Sequence, residues 1–319
     1  MTDLSNYIPA LKYGHTLGLK NLQGAGVLTF GNVYYVDSAT GSNNDSGTEP
    51  VSAKATLEAA INLCTANNGD VIFMLPNHAE TISSATALNF DVAGITIIGL
   101  GNGFNRPTIT FGTAATTTIP VTAADISVEN CIFTANFADI VSTFTLAAAK
   151  DFHLHNCDIL ATAVNMNFLH VFDTNTTDNS YDGLSVTECN WFEVDAATLA
   201  FMLADASATR VNISDNVINT GNATADTAAL VTFATGKIWT NAKIMRNNVS
   251  VVGNAASTAG LFMTTDATTH TGLETDNFLS HIDATTELFQ TANMGFGLNN
   301  NKATGVKATQ GYLLPAADA

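Results

Sequence analysis

A six-residue phrase recurs along this chain and constrains its fold more than any other feature. Its clearest copies are Ile126-Ser-Val-Glu-Asn130-Cys131, Phe152-His-Leu-His-Asn156-Cys157, Leu184-Ser-Val-Thr-Glu188-Cys189 and Val211-Asn-Ile-Ser-Asp215-Asn216. Looser copies run from Ala242 to Asn247, Leu273 to Asn277 and Phe296 to Asn301. Each alternates apolar and polar residues and closes on a polar pair ending in Cys or Asn. Alternation with period two marks a strand that buries one face. Such strands start near residues 71, 95, 126, 152, 184, 211, 242, 272 and 296. Their spacing averages about 28 residues, within the range of solenoid repeats. No pair of periodic helices per repeat is visible after residue 68, which excludes the helical solenoids.

A second phrase fills the other half of each period, from Phe168 to Asp173, Ala200 to Asp205, Leu230 to Thr235, Leu261 to Asp266 and Leu288 to Asn293. Each repeat therefore supplies at least two strands. Stacked in register, about nine such coils make an all-β parallel β-helix with strands about 4.8 Å apart. Ile126/Val128, Phe152/Leu154, Leu184/Val186 and Val211/Ile213 point inward as apolar columns. Cys131, Cys157 and Cys189 share one position, which Asn216, Asn277 and Asn301 continue. A ladder of free thiols passing into a ladder of Asn side chains is expected. Cys is small and apolar enough for a buried corner. Asn bonds along a stack and tolerates the left-handed backbone of a bend. Phe201, Phe233, Phe262 and Phe289 predict an aromatic column on the other strand.

The start of the chain differs. Residues 1–30 show no period and read either as an arm suited to attachment or as a strand and turn capping the domain; 31–319 is the β-helix domain. Over 53–67, Leu57, Ile61 and Cys64 recur at helical spacing and predict an amphipathic capping helix, stopped by Asn67-Asn68-Gly69. The 28 acidic and 11 basic residues give a net charge of −17. Such a surface repels a nucleic-acid backbone and anionic membranes. No apolar run approaches a membrane span, and Met1-Thr-Asp-Leu-Ser5 lacks the basic start of a secretory signal. Four cysteines do not make a disulfide framework in 319 residues. No cofactor is expected: Gly99-Leu-Gly-Asn-Gly103 is not followed by a helix pattern, so the dinucleotide reading fails its context.

Tyr34-Tyr-Val-Asp37, the Gly41 to Gly47 loop, the helical stretch and Gly69-Asp-Val-Ile72 resemble the N-terminal opening of pectate-lyase-like right-handed β-helix proteins. That resemblance implies a right-handed coil whose first turn is capped by a helix. Val92 to Asn102, Arg106 to Phe111 and the ending from Gly311 to Asp318 resemble a set of phage and prophage β-helix proteins. This second resemblance implies a non-enzymatic virion structural protein made in the host cytoplasm. A capsid decoration or fibre-like protein is expected, attached through residues 1–30 to a capsid or other virion protein. It would be a homo-oligomer, a trimer by fold-level analogy. The alternatives are a tailspike-like glycan-binding protein or depolymerase, and a polysaccharide lyase. Neither resemblance brings catalytic residues with it.

A lyase needs carboxylates for Ca²⁺ and a base; Arg210, Lys243 and Arg246 lie near strands, with no Asp cluster evident beside them. A glycosidase needs two carboxylates about 5–9 Å apart. Asp173 and Asp205 end equivalent strands on successive coils, an expected separation of about 5 Å, and are the catalytic candidates; Asp178, Asp182 and Asp195 are near in sequence. The competing reading is that Asp ends strands because it makes turns. His153 and His155 share an outward face and, with Glu129 on the preceding coil, are the metal candidates, against a plain solvated face. His170 reads as packed. Trp191 and Trp239 are candidates for a sugar platform or for packing.

Overall fold

The computed structural model describes residues 31–193, 199–220, 229–251, 259–264, 270–281, 286–290, 296–303 and 312–313. The expected arm at 1–30 and most of the closing phrase lie outside them. Three parallel sheets wrap one apolar interior. The first has ten strands in chain order, Val33–Val36, Val71–Met74, Thr96–Gly99, Ser127–Glu129, His153–His155, Ser185–Thr187, Asn212–Ser214, Ala242–Met245, Gly272–Thr275 and Gly297–Asn299. The second also has ten, from Ala79–Ile82 to Tyr312–Leu313, and the third has seven, from Ile119–Val121 to Thr286–Gln290. The chain is a right-handed parallel β-helix, as expected. Each complete coil carries a strand in each of the three sheets, one more than the two phrases required, and two coils add a short fourth strand, Ala208–Thr209 and Trp239–Thr240, paired with each other. Among the described residues seven coils contribute to all three sheets, flanked by rungs with fewer strands, against the expected nine.

The repeated phrase forms the first sheet and its exit corner. Ile97, Val128, Leu154, Val186, Ile213 and Ile244 follow one another in register, all essentially inaccessible. Burying side chains of this size contributes about 1.5–3 kcal/mol each. The corner residues Asn130, Asn156, Glu188, Asp215, Arg246, Asp276 and Asn300 have φ between 50 and 62°. The left-handed member is thus the first of the polar pair, not the Cys or Asn that follows. Turning there sends the next residue inward. Cys131, Cys157, Cys189, Asn216, Asn247, Asn277 and Asn301 are all buried.

The Asn half of that ladder is fully hydrogen-bonded. The Asn247 amide donates to Ile213 O at 2.9 Å and to Asn277 Oδ1 at 3.0 Å, while its own Oδ1 accepts from Asn216 N and Nδ2 at 3.2 and 3.0 Å. Asn277 repeats the pattern with Ile244 O and Asn301 Oδ1. The two ladders join where Cys189 N donates to Asn216 Oδ1 at 2.9 Å. Cys131 N donates to Cys157 Sγ at 3.5 Å, and all four cysteines are free thiols.

Four expectations need correction. The α-helix covers only Leu57–Ile61, capped by the Thr56 hydroxyl and preceded by a 3-10 turn at Pro50–Ser52. Leu57, Ala60 and Ile61 still bury against the first coils, but Cys64 lies in the following turn, where the buried Asp70 carboxylate accepts from Thr65 N and Asn68 Nδ2. The aromatic column is not Phe201–Phe233–Phe262: Phe233 pairs with Ala204, whereas Phe144 and Phe172 are in register and stack at 5.6 Å. Phe201 meets Phe172 edge-on, and Phe289 lies where side chains are not described. Finally, Leu273 points outward, and Glu274 takes the inward place opposite Ile244, fully buried.

Candidate functional site

The carboxylate pair is not arranged as expected. Asp173 pairs with Thr145 and Leu203, so Asp205 falls two residues beyond its register partner. A two-residue offset plus one rung separates the backbones by about 8 Å. The offset arises beside a bulge, where Val171 N and Phe172 N both donate to Phe201 O at 3.0 Å. Asp205 is held by its own N–H, which donates to the buried Thr174 Oγ1 at 2.7 Å. Asp173 is half-buried on the outer face of the third sheet. Desolvation, followed by the Asp205 charge, pushes its carboxyl up to about 6. A carboxyl poised there has the protonation behaviour of a general acid. Its register neighbours, however, are Thr145 and Leu203, which supply neither a nucleophile-activating base nor a second acid. Asp178 accepts from Ser207 N and pairs with Lys237, and Asp182 accepts from Thr209 N. Both serve turns; Asp195 lies outside the described residues.

Burial pushes the His170 imidazole down, and its Nδ1–H donates to Ala200 O at 2.9 Å. It packs, as expected. His153 and His155 share the outer face of the first sheet, and His155 is in register with Glu129. His155 Nδ1 bonds to Thr187 Oγ1 on the following coil at 2.9 Å. No group of three metal-ligating side chains gathers among the described residues. Trp191 and Trp239 are buried and cannot stack on a sugar. Trp239 Nε1 donates to Tyr181 Oη at 2.9 Å, whose hydroxyl donates to Ala206 O at 2.5 Å.

The three cations singled out from the sequence do converge. Arg210, Lys243 and Arg246 line one groove of about 570 Å³ on the outer face of the first sheet. Contrary to expectation, carboxylates stand beside two of them. Arg210 approaches Asp151 at 3.3 Å, and Arg246 grips Asp215 through Nε and Nη2, both at 2.6 Å. That pairing holds the Asp215 carboxyl below its usual range. The sequence carried a signal for this groove: Arg stands at corner positions that other coils fill with Asn, Asp or Gly and, once, Glu188.

No protein-family model matches the chain, and no curated protein is similar to it. Among solved structures it is similar to a rhamnogalacturonan lyase, at 12% identity and a TM-score of 0.42, over 84% of each chain. It is also similar to the GH136 lacto-N-biosidase from Eubacterium ramulus, at 11% identity and a TM-score of 0.39, over 92% of this chain and 69% of that one. Likeness at this level carries no activity across to this chain.

Proposed function

We propose that this chain is a non-catalytic structural protein of a virion, a rigid β-helical body attached to a larger particle through residues 1–30. One observation carries the reading: polar side chains that could serve chemistry are spent on bonds between successive coils. Asn156 donates to Asn130, Asn190 to Asp158 and Asn212 to Ser185. Arg106 binds Asp158 across two coils, and Arg246 binds Asp215 across one. Such outer bonds, added to a closed apolar interior, resist bending and local opening. The acidic surface keeps a rod of this kind soluble.

The test is incorporation. Particles purified by density gradient from cells making the full chain should contain it by mass spectrometry, and a chain lacking residues 1–30 should fold yet be missing from them. Absence of the full chain, or normal incorporation of the shortened one, would sink the proposal.

A further inference from the structure

We propose that the groove on the outer face of the first sheet binds an acidic oligosaccharide, a function separate from attachment to a particle. The floor consists of two neighbouring rungs, with Asn212 opposite Lys243 and Ser214 opposite Met245. Arg210 stands where the chain enters one rung and Arg246 where it leaves the next. Both have left-handed backbones, φ 58 and 53°. A side chain with a Cβ is disfavoured there, and Asn, Asp or Gly is the usual solution. Asn130, Asn156, Asp215, Asp276 and Asn300 are that solution at the exit corners of other coils, where Glu188 is the one other exception. Two arginines bounding the same groove depart from the pattern where backbone preference alone would not select them.

The charge is local, and part of it is free of the Asp151 and Asp215 carboxylates that face Arg210 and Arg246. In a chain of net charge −17, three of the 11 basic residues meet here. Asp215 engages Nε and Nη2 of Arg246 and so fixes the plane of the guanidinium, leaving Nη1 for a ligand. Arg210 is mostly exposed, its side chain 60% accessible, and Lys243 makes no ion pair among the described residues. Between the cations lie the Ser214 hydroxyl, the Asn241 amide, the Asn212 amide, which already donates to Ser185, and the apolar Met245 side chain.

That mixture suits a sugar: cations for a carboxylate or sulfate, amides and a hydroxyl for ring hydroxyls, and a thioether for a C–H face. The volume falls within the usual range of ligand sites, about 300–1,000 Å³. An acidic peptide fits less well, because the flanking strands are already paired on both edges and leave no backbone to extend. A nucleic acid would meet no exposed aromatic in the groove on which to stack a base.

The full chain should be titrated at low salt with tetragalacturonate, a chondroitin sulfate tetrasaccharide, maltotetraose and tetraglutamate, followed by calorimetry and chemical-shift changes. At least one acidic saccharide should bind, with affinity falling as salt rises. The neutral saccharide and the acidic peptide should bind at least about fivefold more weakly. Lys243→Ala and Arg210→Ala should each weaken binding about fivefold, while Lys150→Ala, an exposed cation elsewhere, should not. Both groove variants change exposed side chains, so an unchanged melting temperature will confirm that each is folded. Silence of both acidic saccharides, equal binding of maltotetraose or tetraglutamate, or binding indifferent to Lys243→Ala would overturn the proposal. None of these outcomes depends on whether the chain reaches a particle, so the two proposals fail separately.

Discussion

Asn247 shows most clearly how single side chains hold this solenoid. Its buried side chain bonds to three groups on the coil before it and one on the coil after. Asn247→Ala would strand Asn216 N without water to replace the partner. A loss of about 2–4 kcal/mol is expected, read as a lowered denaturation midpoint; a midpoint unchanged from wild type would refute the ladder's role. Two titrating groups oppose each other in acid. Asp173 is raised to about 6 by burial and Asp205, so its contribution to stability is full below about 4 and is lost as pH rises through 6. Asp173→Asn should therefore raise the melting temperature at pH 8 by about 1–3 °C and have little effect at pH 4. His270 behaves in the reverse sense. Burial lowers it to about 4, while its Nδ1 accepts from Trp239 N at 3.0 Å. Its contribution is present above pH 6.5 and is lost as pH falls to about 4. An NMR titration should show this imidazole neutral at pH 5; protonation near 6.5 would show that the site is open to water.

Strands and corners differ in how far they could be read from the sequence. The first sheet was legible because Ile126, Val128, Leu154, Val186 and Ile213 alternate with polar residues, and alternation has one physical meaning when one face is buried. The second sheet was not, because strands such as Asp158–Ala161 and Asn190–Phe192 bury a single side chain, Ile159 or Trp191, and so show no apolar alternation. The third sheet is legible but its register is not. Matching Phe168 to Ala200 ignores the bulge at Val171 and Phe172 and puts Asp205 opposite Asp173, two residues short of where it lies. Of the candidate site, the cations were legible one at a time. Their convergence required knowing that Arg210 and Arg246 both sit at corners of adjacent rungs. Corners also set what glycine does here. A Cβ at Gly99 would lie 2.3 Å from Asn130 O, while one at Gly103 would meet nothing within 4 Å. Gly99→Ala should destabilise by about 1–3 kcal/mol. Gly103→Asn, at φ 54° in open space, should be nearly neutral. Equal effects in chemical denaturation would contradict the packing of that corner.

Across the whole molecule, one apolar interior runs continuously from Tyr34 to Ala303 with no second domain among the described residues. Its thiols report on that closure. Burial drives the Cys131 and Cys189 thiols well above their usual range, and burial followed by the Asp70 charge pushes Cys64 up to about 12. A thiol reagent should leave the native chain essentially unmodified at neutral pH and label all four cysteines once it is unfolded. Rapid labelling of Cys131, Cys157 or Cys189 in the native state would mean that coils open. A closed rod bonded between rungs on its outer faces is a poor lid or hinge and a good spacer. The most direct test is a cryo-EM map of the particle made alongside this chain. It should show a rod of stacked parallel strands, about 4.8 Å per rung, projecting from the particle with its N-terminal coils nearest the point of attachment. A particle that carries no such rod, with the intact chain left free in solution, would contradict the account.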